Sequence, residues 1–268
     1  MVNSDNVYEL NKVSFHYPFE EPVLKDISLQ IKGGEKICIL GANGCGKSTL
    51  LKILCGLHFP QEGSFKAFGK LVSEDVLLDK QLSKEYHKKV GFIFQNSDVQ
   101  LFNSTVRDEI AFGPLQLNMS IEEVNTRVED VLNMLNIQHL KNKTPFKLSG
   151  GEKKKVGIAS ILVMNPEVLI LDEPTNGLDP KTQRWLVELL INLNSAGKTI
   201  ITSTHNLELV QEISDRAIVF SEEHNIAMDD DIDKVLEEIE LLKKVNLVDE
   251  FYHMHGDHGH THYHMHRF

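Results

Sequence analysis

The sequence predicts an α/β fold: one mostly parallel, buried sheet, an antiparallel β lobe ahead of it and a helical lobe inserted into it. Three observations carry that prediction. Short apolar runs without alternation at 36–40, 168–171 and 199–204 have the length and composition of strands covered on both faces. Residues 7–31 instead alternate apolar and polar, with turn residues at 18–22 and at Gly33-Gly34, the pattern of an antiparallel pair that 63–71 joins later. Between 95 and 149 the period turns helical, through Ile121, Val124, Val128, Val131, Leu132 and Leu135, with Ser120 placed to cap. A chain of 268 residues is long enough for one large core with a smaller lobe.

In chain order, the first element with chemistry follows the strand at 36–40. Gly41-Ala42-Asn43-Gly44-Cys45-Gly46-Lys47-Ser48-Thr49 stands between that strand and the helical start at 50–54. This is the spacing of a phosphate-binding loop. Its glycines let backbone N–H groups turn inward around a triphosphate, and the helix N-terminus adds partial positive charge. Gly41, Asn43, Gly44, Gly46, Lys47, Ser48 and Thr49 are the candidate nucleotide contacts. Lys47 would reach the β- and γ-phosphates and the Ser48 hydroxyl a Mg²⁺ ion. A glycine-rich turn that merely contains Lys-Ser is the alternative, and the agreement of strand, spacing and helix argues against it.

Two further strands end in reactive side chains. The run from 168 closes on Asp172 and Glu173, which puts two carboxylates at the C-terminal edge of a parallel strand. Asp172 suits the Mg²⁺ shell, and Glu173 suits polarisation of an attacking water. The run from 199 leads to His205, read as a contact to the γ-phosphate or the water rather than an idle surface histidine. Leu148-Ser149-Gly150-Gly151-Glu152 then precedes a helix over 153–164 and makes a second anion-binding helix start. One triphosphate held by its own loop does not need it, so this segment is expected to close over the nucleotide of a second chain.

Composition excludes other classes. A formal charge of −11 and the lack of a sustained basic stretch leave nucleic-acid binding without electrostatic support. Lys153-Lys154-Lys155 reads as a helix face. Cys38, Cys45 and Cys55 have neither paired nor metal-like spacing and suit a reducing cytoplasm, with Cys45 a small residue that fits its loop. No run reaches about 18 apolar residues, and the N-terminus lacks a signal-peptide pattern. The closest run, 158–170, is broken by Asn165-Pro166-Glu167. The expectation is a soluble chain whose pore, if it serves one, comes from other subunits.

Together these motifs resemble the nucleotide-binding subunit of an ATP-binding-cassette transporter over residues 7–221. GANGCGKST resembles that family's Walker A motif, LSGGE its signature, LILDEP its Walker B strand with Glu173 as catalytic base, and Gly177-Leu178-Asp179 its D-loop. Gln95 resembles the Q-loop glutamine, a catalytic-site and Mg²⁺ contact beside Ser48 and Asp172, and His205 the switch histidine. Tyr17 stands where the family stacks an aromatic on adenine, although alone it reads as a strand residue packed on its sheet. The resemblance implies a P-loop NTPase core of the RecA-like type within an ATPase domain at 1–225, its helical lobe at about 96–150. It also implies ATP and Mg²⁺ as ligands, hydrolysis coupled to transport, and a place at the cytoplasmic face of the membrane. The implied partners are a second ATPase chain, most simply an identical one, a transmembrane coupling subunit and a substrate-binding membrane subunit.

The segment from Phe94 to Phe102, FQN-x-D-x-QLF, followed by Ala111-Phe112-Gly113-Pro114, resembles the ATPases of energy-coupling-factor transporters, where it touches the coupling subunit. An amphipathic turn packed on its own lobe is the alternative. Lys155 departs from the arginine common in that group, which puts one local salt bridge in doubt.

A helical extension is expected over 226–252, where Val235, Leu236, Ile239, Leu242 and Val245 share a face that packs or dimerises. Residues 253–268 form a His-rich tail. His253, His255, His258, His260, His262, His264 and His266 cannot build a core but offer imidazole, a good ligand for Ni, Co, Cu and Zn. Interruption by Met, Gly, Asp and Tyr is unlike an engineered tag. Similar tails on cobalt and nickel ATPases of the energy-coupling family imply one of those two ions. A motor for another micronutrient, with an incidental tail, and a soluble cassette ATPase acting on nucleic acid or ribosomes are the other readings.

Overall fold

The structure, a computed structural model, describes residues 6–96 and 100–248. The seven tail histidines and residues 97–99 of the segment after Gln95 lie outside the described residues. Strands β1 (Asn6–His16) and β2 (Pro22–Lys32) form the antiparallel pair that the alternation predicts, burying Tyr8, Leu10, Val13 and Phe15 on one face. Leu10 and Val13 are three apart and still face the same way. A bulge at Lys12, whose φ is 51°, inserts the extra residue that keeps them in phase. Gly63 lies against that bulge, since a Cβ there would stand 2.2 Å from the Lys12 carbonyl oxygen.

The second sheet carries the chemistry. Its strands are β3 (Lys36–Leu40), β6 (Val90–Ile93), β7 (Val168–Asp172), β8 (Thr199–Ser203), β9 (Arg216–Phe220) and β10 (Ile226–Asp231). β4 (Glu62–Ala67) and β5 (Lys70–Leu71) complete the first sheet in the order β2-β1-β4-β5, and the second runs β10-β9-β3-β8-β7-β6. All neighbours in the second sheet are parallel except β10 with β9. Insertion of β8 between β3 and β7 aligns three C-terminal ends, because Ser203 pairs with Ile39 on one side and Asp172 on the other. The phosphate-binding loop, the two acids and His205 therefore leave one edge of one sheet.

Helix α1 (Lys47–Leu54) follows the loop, and α2 (Glu74–Leu78) and α3 (Lys80–Lys89) lead to β6. The inserted lobe comprises α4 (Val106–Gln116), α5 (Ile121–Met134) and α6 (Gly150–Leu162). Ser120 caps α5 as read, its hydroxyl accepting the Glu123 N–H at 3.2 Å. Val124, Val128, Val131 and Leu132 are buried in a core shared with Ile110 and Val156. Each such aliphatic side chain contributes about 1.5–3 kcal/mol on burial, which is what holds the lobe's helices together. Then come α7 (Pro180–Ser195), α8 (Leu207–Ile213), α9 (Ile232–Glu237) and α10 (Ile239–Lys244).

The extension expected to be helical from 226 opens instead as a strand, and its helices begin at Ile232. Residues 226–231 alternate in burial with period two, and Arg216 on β9 grips Asp229 with two bonds of 2.6 and 2.7 Å. That bidentate pair secures an edge strand where a helical extension was expected. Beyond it, Val235, Leu242 and Val245 pack on Cys38, Val210 and Val219, so the apolar face serves this chain's own core. Among the described residues no helix is long and apolar enough to cross a membrane.

Candidate functional site

The loop after β3 is shaped by its glycines. Gly46 has φ 111° and an added Cβ would sit 2.5 Å from the Val23 carbonyl oxygen, so only glycine fits where α1 begins. Lys47 is 6 % exposed, and its ammonium donates to the carbonyls of Gly41 at 2.7 Å and Ala42 at 3.0 Å. His224, in the turn after β9, places Nδ1 3.3 Å from the Cys45 carbonyl oxygen and braces the loop from behind. A cavity of about 320 Å³ opens here, lined among others by Asn43, Gly44, Lys47, Ser48, Gln95, Glu173 and His205.

The acids are set by their neighbouring strand. Ser203 donates its hydroxyl to Asp172 Oδ1 at 2.6 Å and accepts the Glu173 N–H at 3.1 Å, so one buried oxygen orients both residues. Glu173 has φ 42°, a left-handed backbone that costs about 1–3 kcal/mol and aims its side chain into the cavity. His205 Nδ1 lies 3.0 Å from Glu173 Oε1. Ser48, Gln95 and Asp172 offer only hard oxygen donors, which fits Mg²⁺.

Tyr17 stands beside this cavity without lining it. Its hydroxyl is 3.2 Å from Thr49 Oγ1, and its ring meets Phe15 and His58 edge-on at 5.1 and 5.5 Å. Both readings of this tyrosine thus have a footing, since it packs on its own lobe and stands against the first turn of α1. The sequence reading assigned no role to Ser203, Asn176, His58 or His224. Ser203 alone carried a signal, standing two residues before His205 in a strand whose register was unknown.

Ser149, Gly150, Gly151 and Asp179 are not brought to this loop. They line a second cavity, of about 540 Å³, which shares no lining residue with the first. Ser149 caps α6 in a reciprocal pair with Glu152: its hydroxyl accepts the Glu152 N–H at 3.3 Å, and the Glu152 carboxylate accepts the Ser149 N–H at 2.8 Å. That N–H, with the Ser149 hydroxyl donating to the same carboxylate oxygen at 2.9 Å, holds the Glu152 carboxyl below its ordinary range. Asp179 caps α7 through Thr182 and Lys181, and the Thr182 bonds lower its pKa in the same way. Gly151 is cramped, an added Cβ meeting Thr182 Oγ1 at 2.8 Å, whereas Gly150 faces open space.

The three lysines of α6, read as a helix face, do not share one environment. Lys154 is buried, because its ammonium turns inward onto the carbonyls of Phe94 and Gln95. Burial draws its pKa down to about 8, against the favourable field of Asp172. Lys155 lies 4.6 Å over the Trp185 ring, a cation–π contact.

After Gln95, the Gln100 amide donates to Gly157 O at 2.9 Å and buried Glu109 accepts the N–H groups of Phe102 and Asn103. That rigid turn leaves Phe102 and Phe112 paired edge-on at 4.9 Å, both exposed, along a groove of about 400 Å³.

All three cysteines are buried and free. Burial pushes the Cys38 thiol up to about 12 and raises Cys45 and Cys55, with Lys47 opposing the shift at Cys45. A thiol kept protonated above its usual range reacts slowly. N-ethylmaleimide at neutral pH is therefore expected to leave the folded protein unlabelled over a period that fully labels the urea-unfolded chain. Rapid native labelling of Cys45 in mass spectrometry would contradict this placement.

A phosphate-binding loop, an acid strand set one strand away from it and a histidine at the end of the strand between them define a P-loop nucleoside triphosphatase. The ABC transporter family profile matches residues 24–176. The chain is 55 % identical over 253 residues to a "Putative ABC transporter ATP-binding protein" of Methanosarcina acetivorans, covering 93 % of this chain and 92 % of that protein. It is 43 % identical over 221 residues to the nickel import ATP-binding protein LarO of Lactiplantibacillus plantarum, covering 82 % and 91 %. Among solved structures, cbiO1 from Clostridium perfringens, part of the ABC transporter complex cbiONQ, superposes with a TM-score of 0.78 at 35 % identity, covering 91 % and 96 %. The chain belongs to the ABC transporter family and is an ATPase of the energy-coupling-factor type.

Proposed function

We propose that this chain is the motor of an energy-coupling-factor transporter that imports cobalt or nickel ions, acting as a dimer at the cytoplasmic face of the membrane. The observation that carries the motor reading is that the phosphate-binding loop and the Ser149-Gly150-Gly151 turn line two separate cavities of one chain, which suits a site completed by a second copy. A second copy, placed head to tail, brings Ser149, Gly150, Gly151 and Asp179 over the nucleotide held by the first. In this reading Tyr17 carries the adenine, and Lys47 leaves its two carbonyls for the β- and γ-phosphates. Ser48, Gln95 and Asp172 would hold Mg²⁺, which would supply positive charge to offset the negative charge that develops on the phosphate oxygens. Glu173 accepts a proton from the water whose oxygen attacks the γ-phosphorus as the bond to the bridging oxygen breaks, and His205 orients Glu173. The exposed groove at Phe102 and Phe112 suits a transmembrane coupling subunit, with a separate membrane subunit binding the substrate.

The substrate rests on the LarO relative and on the imidazole content of 253–268. Purification from detergent-solubilised membranes, with metal analysis of the complex, tests the reading. Recovery of membrane subunits with bound nickel or cobalt supports it. A vitamin in their place makes the chain the motor of another micronutrient importer. The tail is remote in sequence from every nucleotide motif, so removing residues 253–268 is expected to leave basal ATPase within about twofold while altering metal uptake by cells. Hydrolysis that collapses with the tail would contradict a purely metal-binding role.

A further inference from the structure

Lys154 is 2 % exposed, and a buried ammonium is destabilising unless it is well paired. Its partners are two main-chain oxygens, Phe94 O at 3.0 Å and Gln95 O at 3.4 Å, the two residues that follow β6. Among the described residues it forms no salt bridge, although the Asp172 carboxylate lies close enough for its charge to favour the ammonium. Removing the ammonium alone leaves these two main-chain oxygens without their donor, so the lysine helps to hold the fold. Its position gives it a second role. Lys154 lies four residues beyond Gly150 on α6, the helix that begins with the glycine pair of the second cavity. One side chain therefore ties that helix to the main chain from which Gln95 enters the phosphate cavity.

We propose that Lys154 is a positioning residue that makes the Gln95 segment and α6 move as one unit, so that Gln95 and the Gly150-Gly151 turn reorient together. Metal occupancy in the first cavity is thereby communicated to the half-site offered to the partner copy. The inference rests on the proposed reading of Gln95 for its effect on Mg²⁺, and on geometry alone for the mechanical link.

The chain supplies its own reporter. Trp185 is its one tryptophan, on α7, and the Lys155 ammonium of α6 lies 4.6 Å over its ring, so its fluorescence follows α6 against α7. The test uses the full chain carrying Lys154→Met, which keeps length and packing and removes the ammonium. A fluorescent ATP analogue in EDTA is expected to bind within about twofold of the parent, because Lys47 and its loop are untouched. The Mg²⁺ concentration for half-maximal hydrolysis is expected to rise about tenfold or more, the usual effect of losing a residue that orients a metal ligand. The Trp185 response to Mg²⁺ and ATP is expected to fall by more than half, with a modest drop in melting temperature from the two oxygens left without their donor.

Parental Mg²⁺ dependence together with a parental Trp185 response would overturn the proposal, as would a parent protein with no Trp185 response. So would losses that disappear when parent and variant are assayed at the same interval below their own melting temperatures. If the methionine variant does not fold, Lys154→Gln is read by the same measures. Gln95→Ala separates the two readings. An unchanged Mg²⁺ requirement there removes Gln95 from the metal and leaves the Trp185 response to decide the mechanical link.

Discussion

Glu173→Gln is expected to lower turnover by about 10²- to 10⁴-fold while ATP binding stays intact, the contribution of a positioned general base. The amide keeps the size of the carboxylate, so the left-handed backbone at 173 and the bond from its N–H to Ser203 survive the change. What is lost is the proton acceptor 3.0 Å from His205 Nδ1. Nucleotide that binds without being cleaved should hold two chains closed together. Phosphate release at saturating ATP, nucleotide affinity and elution volume with ATP measure the three effects separately. Undiminished hydrolysis would remove Glu173 from the role. His205→Ala should also slow turnover more than it weakens binding, since His205 meets Glu173 and makes no bond to the loop glycines.

Activity recovered on mixing two dead variants is the second expected result, and it tests the divided site. Lys47→Ala disables the loop half-site. Gly150→Asp disables the other half by setting a carboxylate against the partner's γ-phosphate, at a repulsion on the order of 4 kcal/mol for about 4 Å in an effective dielectric of about 20, roughly three decades in closure. Gly150 is the better position because its Cβ direction is open, whereas a side chain at Gly151 would first displace Thr182 within its own chain. In the mixed dimer one composite site has an intact loop and an intact Ser149-Gly150-Gly151 turn, and the other has neither. Each variant alone should be nearly inactive, and the mixture should regain activity in proportion to mixed dimers. Mixed dimers proven by differential tags that stay inactive would count against a shared site, unless both intact sites must fire together, which an intact chain paired with the double mutant would reveal.

The sequence by itself determined the parts whose requirements are local. A loop that must turn N–H groups inward needs glycines at set positions between a strand and a helix, so the segment from Gly41 to Thr49 was legible from spacing alone. The same holds for Ser120 as a cap, for the alternation of β1 and β2, and for strands that end in Asp172-Glu173 and before His205. Each depends on residues a few positions apart, where backbone geometry leaves few alternatives. Only the tertiary structure decided which of these parts meet. The order of strands put β8 between β3 and β7, and that pairing made Ser203 the oxygen shared by Asp172 and Glu173. Packing of α6 turned Lys154 inward from a lysine run read only as a helix face, and Arg216 drew residues 226–231 into the sheet as a strand. Folding also set Ser149, Gly150, Gly151 and Asp179 together in a cavity apart from this chain's own phosphate-binding loop. These outcomes depend on contacts between residues tens of positions apart, where the gain comes from burial and register across the whole sheet, and no local pattern of side chains encodes them.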